Sequence, residues 1–350
     1  MSDTAGRLAA VLRDQQASCA EMGSPLYAGL LARAAEDVER DGPTLFVLAP
    51  HLAPGRGGAL ALRFLAAVHR LVLTGQADGL ARFYPSAGGT VDVDAAWAEL
   101  RALLKADGGR VGVLVARPCQ TNEVGRAAAL MFGFLEVAAR TRLPFRLLEV
   151  GASAGLNLRW DHFRYGGGGM AWGPHDSPVD LRGLWADAPE QADAPIEVVE
   201  RRGCDPRPLD PTSADDQLAL RASVWADQAA RFARLSGALE LAARVPATVD
   251  AGPVEAWVPE RLGETRPGTV AVVYHSVVDE YLTDEARRAF HGALAHAGAR
   301  ATTAAPLAWV RVEPADRVRQ HAVTVTLWPG GDTRQVALAG AHGSNVRRVT

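Results

Sequence analysis

The sequence predicts an α/β protein: a doubly wound, mainly parallel sheet ending in an antiparallel hairpin and preceded by a mainly helical N-terminal part. Three observations predict it. From residue 145 onward, apolar strand-like runs alternate with helical patterns, which implies parallel strands joined by crossover helices. The last runs, at 323–327 and 336–338, instead alternate apolar and polar residues around a glycine-containing turn, the pattern of a hairpin. Residues 1–140 carry mostly the three-and-four spacing of helices. The expected domains are 1–140, a helical cap or substrate domain, and 141–350, the sheet domain.

In the N-terminal part, Leu8, Val11 and Leu12, then Leu26, Leu30 and Leu31, predict helices over 4–40, separated at Gly23 and Pro25. Pro43, Pro50, Pro54 and the glycine group at 55–58 punctuate the chain before a helix over 59–73. His69 lies on the apolar face of that helix and is expected to be a hydrogen-bonded core residue. A loop is expected over 83–89 and a helix over 91–105, with strand candidates only near Leu45 and Val111. A helix over 121–140 shows a buried stripe from Val124 through Met131 to Ala138. Its first turn gathers Gln120, Thr121, Asn122, Glu123 and Arg126, more hydrogen-bonding groups than capping requires.

Phe145, Leu147, Leu148 and Val150 form a strand suited to burial on both faces. Gly151, Ala152, Ser153, Ala154 and Gly155 follow with little side-chain bulk, and a helix is expected after them. A strand, a tight turn and a helix present free backbone N–H groups where a ligand can approach the main chain. The glycine run at 166–169 and the proline-rich tract to Pro195 read as an irregular insertion. Further strands are expected over 196–205, 247–251, 269–278 and 307–312. Helices are expected from Ser213 past Leu239, with a break near Gly237, and over 284–297. In such a sheet the binding crevice lies at the carboxyl ends of the strands, where their order reverses. Glu149, Gly151, Asp205, Asp250 and His275 all fall at strand ends.

Composition narrows the function classes. The 350 residues are 48% hydrophobic and 22% charged, enough for a normal globular interior. The 37 basic and 40 acidic residues nearly cancel, which favours neither nucleic acid nor an anionic membrane as partner. Lys105 is the only lysine, and no arginine cluster is long enough to be a binding tract. Cys19, Cys119 and Cys204 are few and far apart, so neither a disulfide framework nor a cysteine zinc site is expected, and no metal is assigned. No signal-peptide shape and no apolar run of membrane-spanning length is present, so a cytoplasmic protein acting on a small molecule is expected.

The segment 149–155 admits two chemistries. Read as G-x-S-x-G it is a nucleophile elbow with Ser153, for which the orders Ser153, Asp250, His275 or Ser153, Asp279, His342 can be drawn. Such an elbow usually follows several strands, whereas the preceding residues are mainly helical and no HGGG-type oxyanion segment occurs. Read as E-x-G-x-x-x-G it resembles the first motif of the class I S-adenosylmethionine-dependent methyltransferases, as does the order of elements over about 141–340. Over nearly the whole chain, QTNEVGR (120–126), LLEVGASAGLNLRWD (147–161), ERRGCD (200–205), VVYHSV (272–277) and PLAWVRVEP (306–314) resemble a bacterial family known only as a domain of unknown function.

The methyltransferase resemblance implies a Rossmann-like domain that binds S-adenosylmethionine and transfers its methyl group in line to a small polar molecule. Glu149 would lie near the methionine ammonium, with Gly151, Ala152, Ser153 and Gly155 in backbone contact and Asn157 completing the set. Asp205 would hold the ribose hydroxyls, with Asp180 as competitor because the interval to Asp205 is long, and Asp250 with Ala251 would meet the adenine edge. His275 would be the general base, with Asn122, Glu123 and Arg126 orienting the substrate under the helical N-terminal domain. A non-catalytic cofactor-binding or interaction module is the alternative to an enzyme.

Overall fold

A computed structural model describes residues 3–53, 59–315 and 320–349, which leaves Pro54 and the glycine group at 55–58 outside the described residues. The chain forms two compact units, 1–121 with 214–233, and 122–213 with 234–350. Relative to the expected boundary at 140, the segments 122–140 and 214–233 change sides.

The first unit opens with α1 (Asp3–Glu21), α2 (Pro25–Glu39) and α3 (Pro43–Leu48), followed by α4 (Leu60–Leu73), α5 (Asp78–Ala81) and α6 (Val93–Val115). Pro25 and Pro43 start their helices at the position where the missing N–H costs nothing. Both strand candidates are helical: Leu45 lies in α3 and Val111 in α6. A short apolar run has no period long enough to separate strand from helix.

The second unit begins with α7 (Ala127–Thr141), which starts later than its apolar stripe suggests. A short 3-10 turn, Val124–Arg126, precedes it, so the polar residues at 120–123 form a lead-in instead of a first helical turn. Then come β1 (Phe145–Val150), β2 (Arg164–Gly167), β3 (Met170–Trp172), β4 (Asp180–Trp185) and β5 (Val198–Asp205). The expected irregular insertion is a three-stranded sheet of order β3-β2-β4. Tyr165 stacks on Trp185 at 5.5 Å between centroids, and Trp172 meets Tyr165 edge-on at 5.7 Å. The consecutive glycines at 166–169 hid this sheet from a hydropathy pattern.

The chain returns to the first unit through α8 (Ala214–Ser223) and the start of α9 (Ala229–Ala242). The break falls between these helices, not at Gly237. There Asp227 accepts hydrogen bonds from Ser24 Oγ (2.6 Å) and the Leu26 N–H (2.9 Å), and Trp225 and Ala226 enter the first unit's core. The large sheet is completed by β6 (Thr248–Ala251), α10 (Val254–Arg261), β7 (Val270–Ser276), α11 (Asp284–Arg300), β8 (Leu307–Pro314), β9 (Gln320–Trp328), β10 (Asp332–Gly340) and β11 (Arg347–Arg348).

The eight strands of that sheet run in the order β11-β10-β9-β8-β7-β1-β5-β6. β6, β5, β1, β7 and β8 are mutually parallel, and β9 turns back antiparallel on β8, followed by β10. The order reverses between β1 and β7, because the chain travels outward through β5 and β6 before returning to β7. Leu148, Val150, Val273 and Trp309 face α10 and α11 in one apolar core with Trp257, Phe290 and Leu294. On the opposite face, Phe134 of α7 stacks on Trp160 at 4.3 Å and meets Tyr274 edge-on at 5.1 Å. No described helix is long and apolar enough to cross a membrane, and Cys19, Cys119 and Cys204 are not joined in disulfides.

Candidate functional site

The end of β1, beside the reversal of strand order, carries a left-handed turn. Gly151, Ser153 and Gly155 have φ of 67°, 54° and 65°. Glycine is needed at both ends for two reasons: L side chains disfavour that conformation, and space is lacking. A Cβ on Gly151 would lie 2.7 Å from Val278 Cγ2, and one on Gly155 would lie 2.7 Å from Val249 Cγ2. The turn is closed by its own donors. Ala152 N–H bonds the Cys204 carbonyl (3.0 Å), Ser153 N–H the Asp205 carboxylate (3.0 Å), and Gly155 N–H the Ala152 carbonyl (2.7 Å). The expectation of free N–H groups therefore fails at these positions. The expected helix is also absent: Leu156–His162 is a 3-10 segment with non-helical geometry at Arg159.

Glu149 and Tyr274 are opposite one another in the register of β1 and β7. The Tyr274 hydroxyl lies 3.4 Å from Glu149 Oε2 and 3.2 Å from the Asn157 carbonyl. Burial pushes the Glu149 carboxyl well above its ordinary value, against the opposing pull of Tyr274 and Arg159. Arg159 is itself buried, which lowers its guanidinium to about 10. It donates to the Gly155 carbonyl (2.6 Å) and the Val245 carbonyl (2.7 Å), so the turn is clamped from its far side. Ser153 Oγ and Asn157 Oδ1 are buried without a hydrogen-bond partner. Buried orphan polar atoms beside an unusual turn mark a place where a ligand or water completes the bonding.

The three acidic candidates are placed differently. Asp205 joins the turn: one carboxylate oxygen accepts from Ser153 N–H, and the other from Arg207 N–H at 2.8 Å. An ionised carboxylate offers about four lone-pair positions, so two remain for other donors. Asp250 is gripped by Arg202 through bonds of 2.6 and 2.8 Å and also accepts from the Trp257 indole at 2.7 Å. The Arg202 bonds hold its carboxyl below the ordinary value, whereas Ala251 beside it is exposed. Asp180 belongs to the small sheet and lies in the fork of Arg182 (2.7 Å).

The polar lead-in to α7 docks on the segment after the turn. Asn122 Oδ1 accepts from Leu156 N–H (3.0 Å), Asn157 Nδ2 donates to the Glu123 carbonyl (3.2 Å), and the buried Glu123 carboxylate accepts from Gly125 N–H (3.2 Å). Arg126 reaches elsewhere, donating to the carbonyls of Ala341 (3.1 Å) and Ser276 (3.3 Å). His275 is not with this group. Side chains alternate across a strand, so with Tyr274 on the Glu149 face His275 points to the other. There it is wholly buried between Phe290 and Trp309, and its Nδ1–H donates to Glu313 at 2.8 Å. Ser153, Asp250 and His275 are consequently engaged with different partners, or with none, and form no hydrolytic triad.

Over residues 9–348 the sequence matches a family described as "Uncharacterized protein conserved in bacteria (DUF2332)". The chain belongs to this family. No curated protein and no solved structure matches it. The DUF2332 match takes in both compact units, including the return segment at 214–233. Two residues of this DUF2332 chain were not singled out from sequence, Arg159 and Tyr274. The available signals were positional: Arg159 follows Gly155 by four residues, and Tyr274 neighbours His275 on a strand whose alternation sends the two to opposite faces.

Proposed function

We propose that the second unit binds S-adenosylmethionine at the carboxyl end of β1 and transfers its methyl group in line to a small polar molecule. The observation that carries this reading is the coincidence of the left-handed glycine turn with the point where strand order reverses, the position at which open α/β sheets bind their ligands. The parallel order β6-β5-β1-β7-β8 is that of the doubly wound nucleotide-binding sheets.

The residues present suit the cofactor. Asn157 Oδ1 lacks a partner, Asp205 retains acceptor capacity for ribose hydroxyls, and the exposed Ala251 backbone, not the occupied Asp250 carboxylate, would meet the adenine edge. The cofactor supplies a methyl group already activated on a sulfonium. The chain then has to align an acceptor and exclude water. Asn122 and Glu123, bonded beside the turn, supply polar groups for orienting that acceptor. No step is assigned to His275, and its burial also favours, as a second reading, binding without transfer.

The test is a calorimetric and thermal-shift titration with S-adenosylmethionine and S-adenosylhomocysteine. At a hundredfold excess over the dissociation constant, either ligand stabilises the protein by about 2.7 kcal/mol. Asp205→Asn weakens binding by roughly 1.5–3 kcal/mol, the worth of a charge-assisted acceptor. Absence of binding by both ligands at millimolar concentration rejects the reading.

A further inference from the structure

A second cluster of donor side chains sits on the other face of the sheet. It contains His275 at the end of β7, Glu313 near the end of β8, Asp279 in the 3-10 turn Asp279–Tyr281, and His291 on α11. His275 Nδ1 and Glu313 Oε1 are 2.8 Å apart, and His291 Nε2 and Asp279 Oδ1 are 3.3 Å apart. His275, Asp279 and Glu313 each offer a donor atom, all within 4.8 Å of one another. Ligand atoms bonded to one ion at ~2.0–2.2 Å are separated by ~3 Å when adjacent and by ~4.2 Å when opposite. The 2.8 Å pair already has the spacing of adjacent ligands, and donors up to 4.8 Å apart close on an ion by about 0.6 Å to reach opposite positions.

The surroundings of His275 point the same way. Its Nδ1 faces Glu313, and the ring is wholly buried between Phe290 and Trp309. A metal-ligating imidazole is often buried in this way among apolar groups that exclude solvent.

We propose that His275, Asp279 and Glu313 bind a divalent first-row transition-metal ion, with His291 holding Asp279 from outside the shell. Mixed imidazole and carboxylate donors suit zinc, manganese or ferrous iron better than calcium or magnesium, which favour oxygen-only shells. Binding displaces the proton now held between His275 and Glu313. Arg311, stacked on Trp309 at 4.1 Å, is the nearby cation that shares the field of the two carboxylates. The bound ion ties β7 and β8 to the segment whose Val278 packs over Gly151, and so fixes one wall of the glycine turn. This inference stands apart from cofactor binding, because it rests on different residues and a different ligand.

The full chain, stripped by a chelator, is titrated with zinc chloride by calorimetry in two buffers of different ionisation enthalpy, and with cobalt(II) by visible absorption. One equivalent of zinc binds with release of a proton, magnesium chloride produces no heat, and cobalt(II) develops ligand-field bands. Asp279 and Glu313 are only half-buried, so Asp279→Asn and Glu313→Gln spare the core if His275 variants fail to fold. Each weakens zinc binding by at least the ~10–100-fold typical of a disturbed metal shell. Absence of stoichiometric zinc binding, or binding undiminished in both variants, overturns the proposal.

Discussion

Glu149 shows how far surroundings alter one side chain. Buried beside Tyr274, its carboxyl is held well above the ordinary value by loss of solvation. For an acid with a raised folded-state pKa, the stabilising contribution is complete below the unfolded value of ~4.3 and is lost as pH rises through the folded value. Glu149→Gln removes that dependence. Urea denaturation across pH should therefore show the variant gaining on the parent above about pH 5, with little difference at pH 4; parallel curves would mean that Glu149 is not the titrating group. Under the proposed function, a cofactor ammonium near Glu149 would ionise it, so calorimetry in two buffers should register proton release on binding. Ser153 makes a separate case. Its hydroxyl is buried and unpaired, so Ser153→Ala is expected to change stability by no more than about 1 kcal/mol and to leave binding intact. A fluorophosphonate probe should not label the parent protein at Ser153, and labelling there would restore the nucleophile reading.

At the scale of elements, the turn between β1 and the 3-10 segment is the feature most open to a backbone test. Gly155→Ala forces an L residue to φ near 65° and sets its Cβ against Val249 and Leu158. The conformational term alone is roughly 1–2 kcal/mol, and the overlap adds to it. Denaturation should show at least that loss; a neutral substitution would mean that the left-handed turn is not kept in solution. The strands of the large sheet were legible in sequence because β1, β7 and β8 are mainly apolar runs and β9 and β10 alternate. The small sheet was not, since Gly166, Gly167 and Gly169 carry no hydropathy signal and its core is aromatic stacking between distant residues. The site was legible to the same extent. Glycine spacing and the acids at strand ends can be read along the chain. That Asp250 is bound by Arg202, that Arg159 clamps Gly155, and that His275 faces away from Glu149 depends on which face each strand presents, and register is fixed only by pairing.

Over the whole molecule, pH acts with opposite signs in the two units, and His69 governs the first unit's response. Its Nδ1–H donates to the Ala222 carbonyl at 3.2 Å, so Nε2 accepts from Ser86 Oγ–H at 2.7 Å, which is the neutral ring in a dry core beside Tyr84 and Phe232. Burial lowers its pKa from 6.5 to about 4. A base with a depressed folded value contributes stability that is present above the unfolded pKa and lost as pH falls toward the folded one, because the unfolded chain takes up the proton first. The window is therefore pH 6.5 down to about 4, and the full loss is about 3 kcal/mol, a large share of the 5–15 kcal/mol that holds most domains together. Glu149 destabilises the second unit in the opposite direction, as pH rises above about 5, so the two windows overlap and the two contributions partly offset each other between about pH 5 and 6.5. His69→Gln keeps a neutral hydrogen-bonding side chain but cannot titrate. Its starting stability is expected to be lower, yet urea midpoints followed by tryptophan fluorescence should fall less steeply between pH 6.5 and 4 than those of the parent. An acid limb equally steep in the variant would show that another group, and not the buried imidazole, takes up the proton.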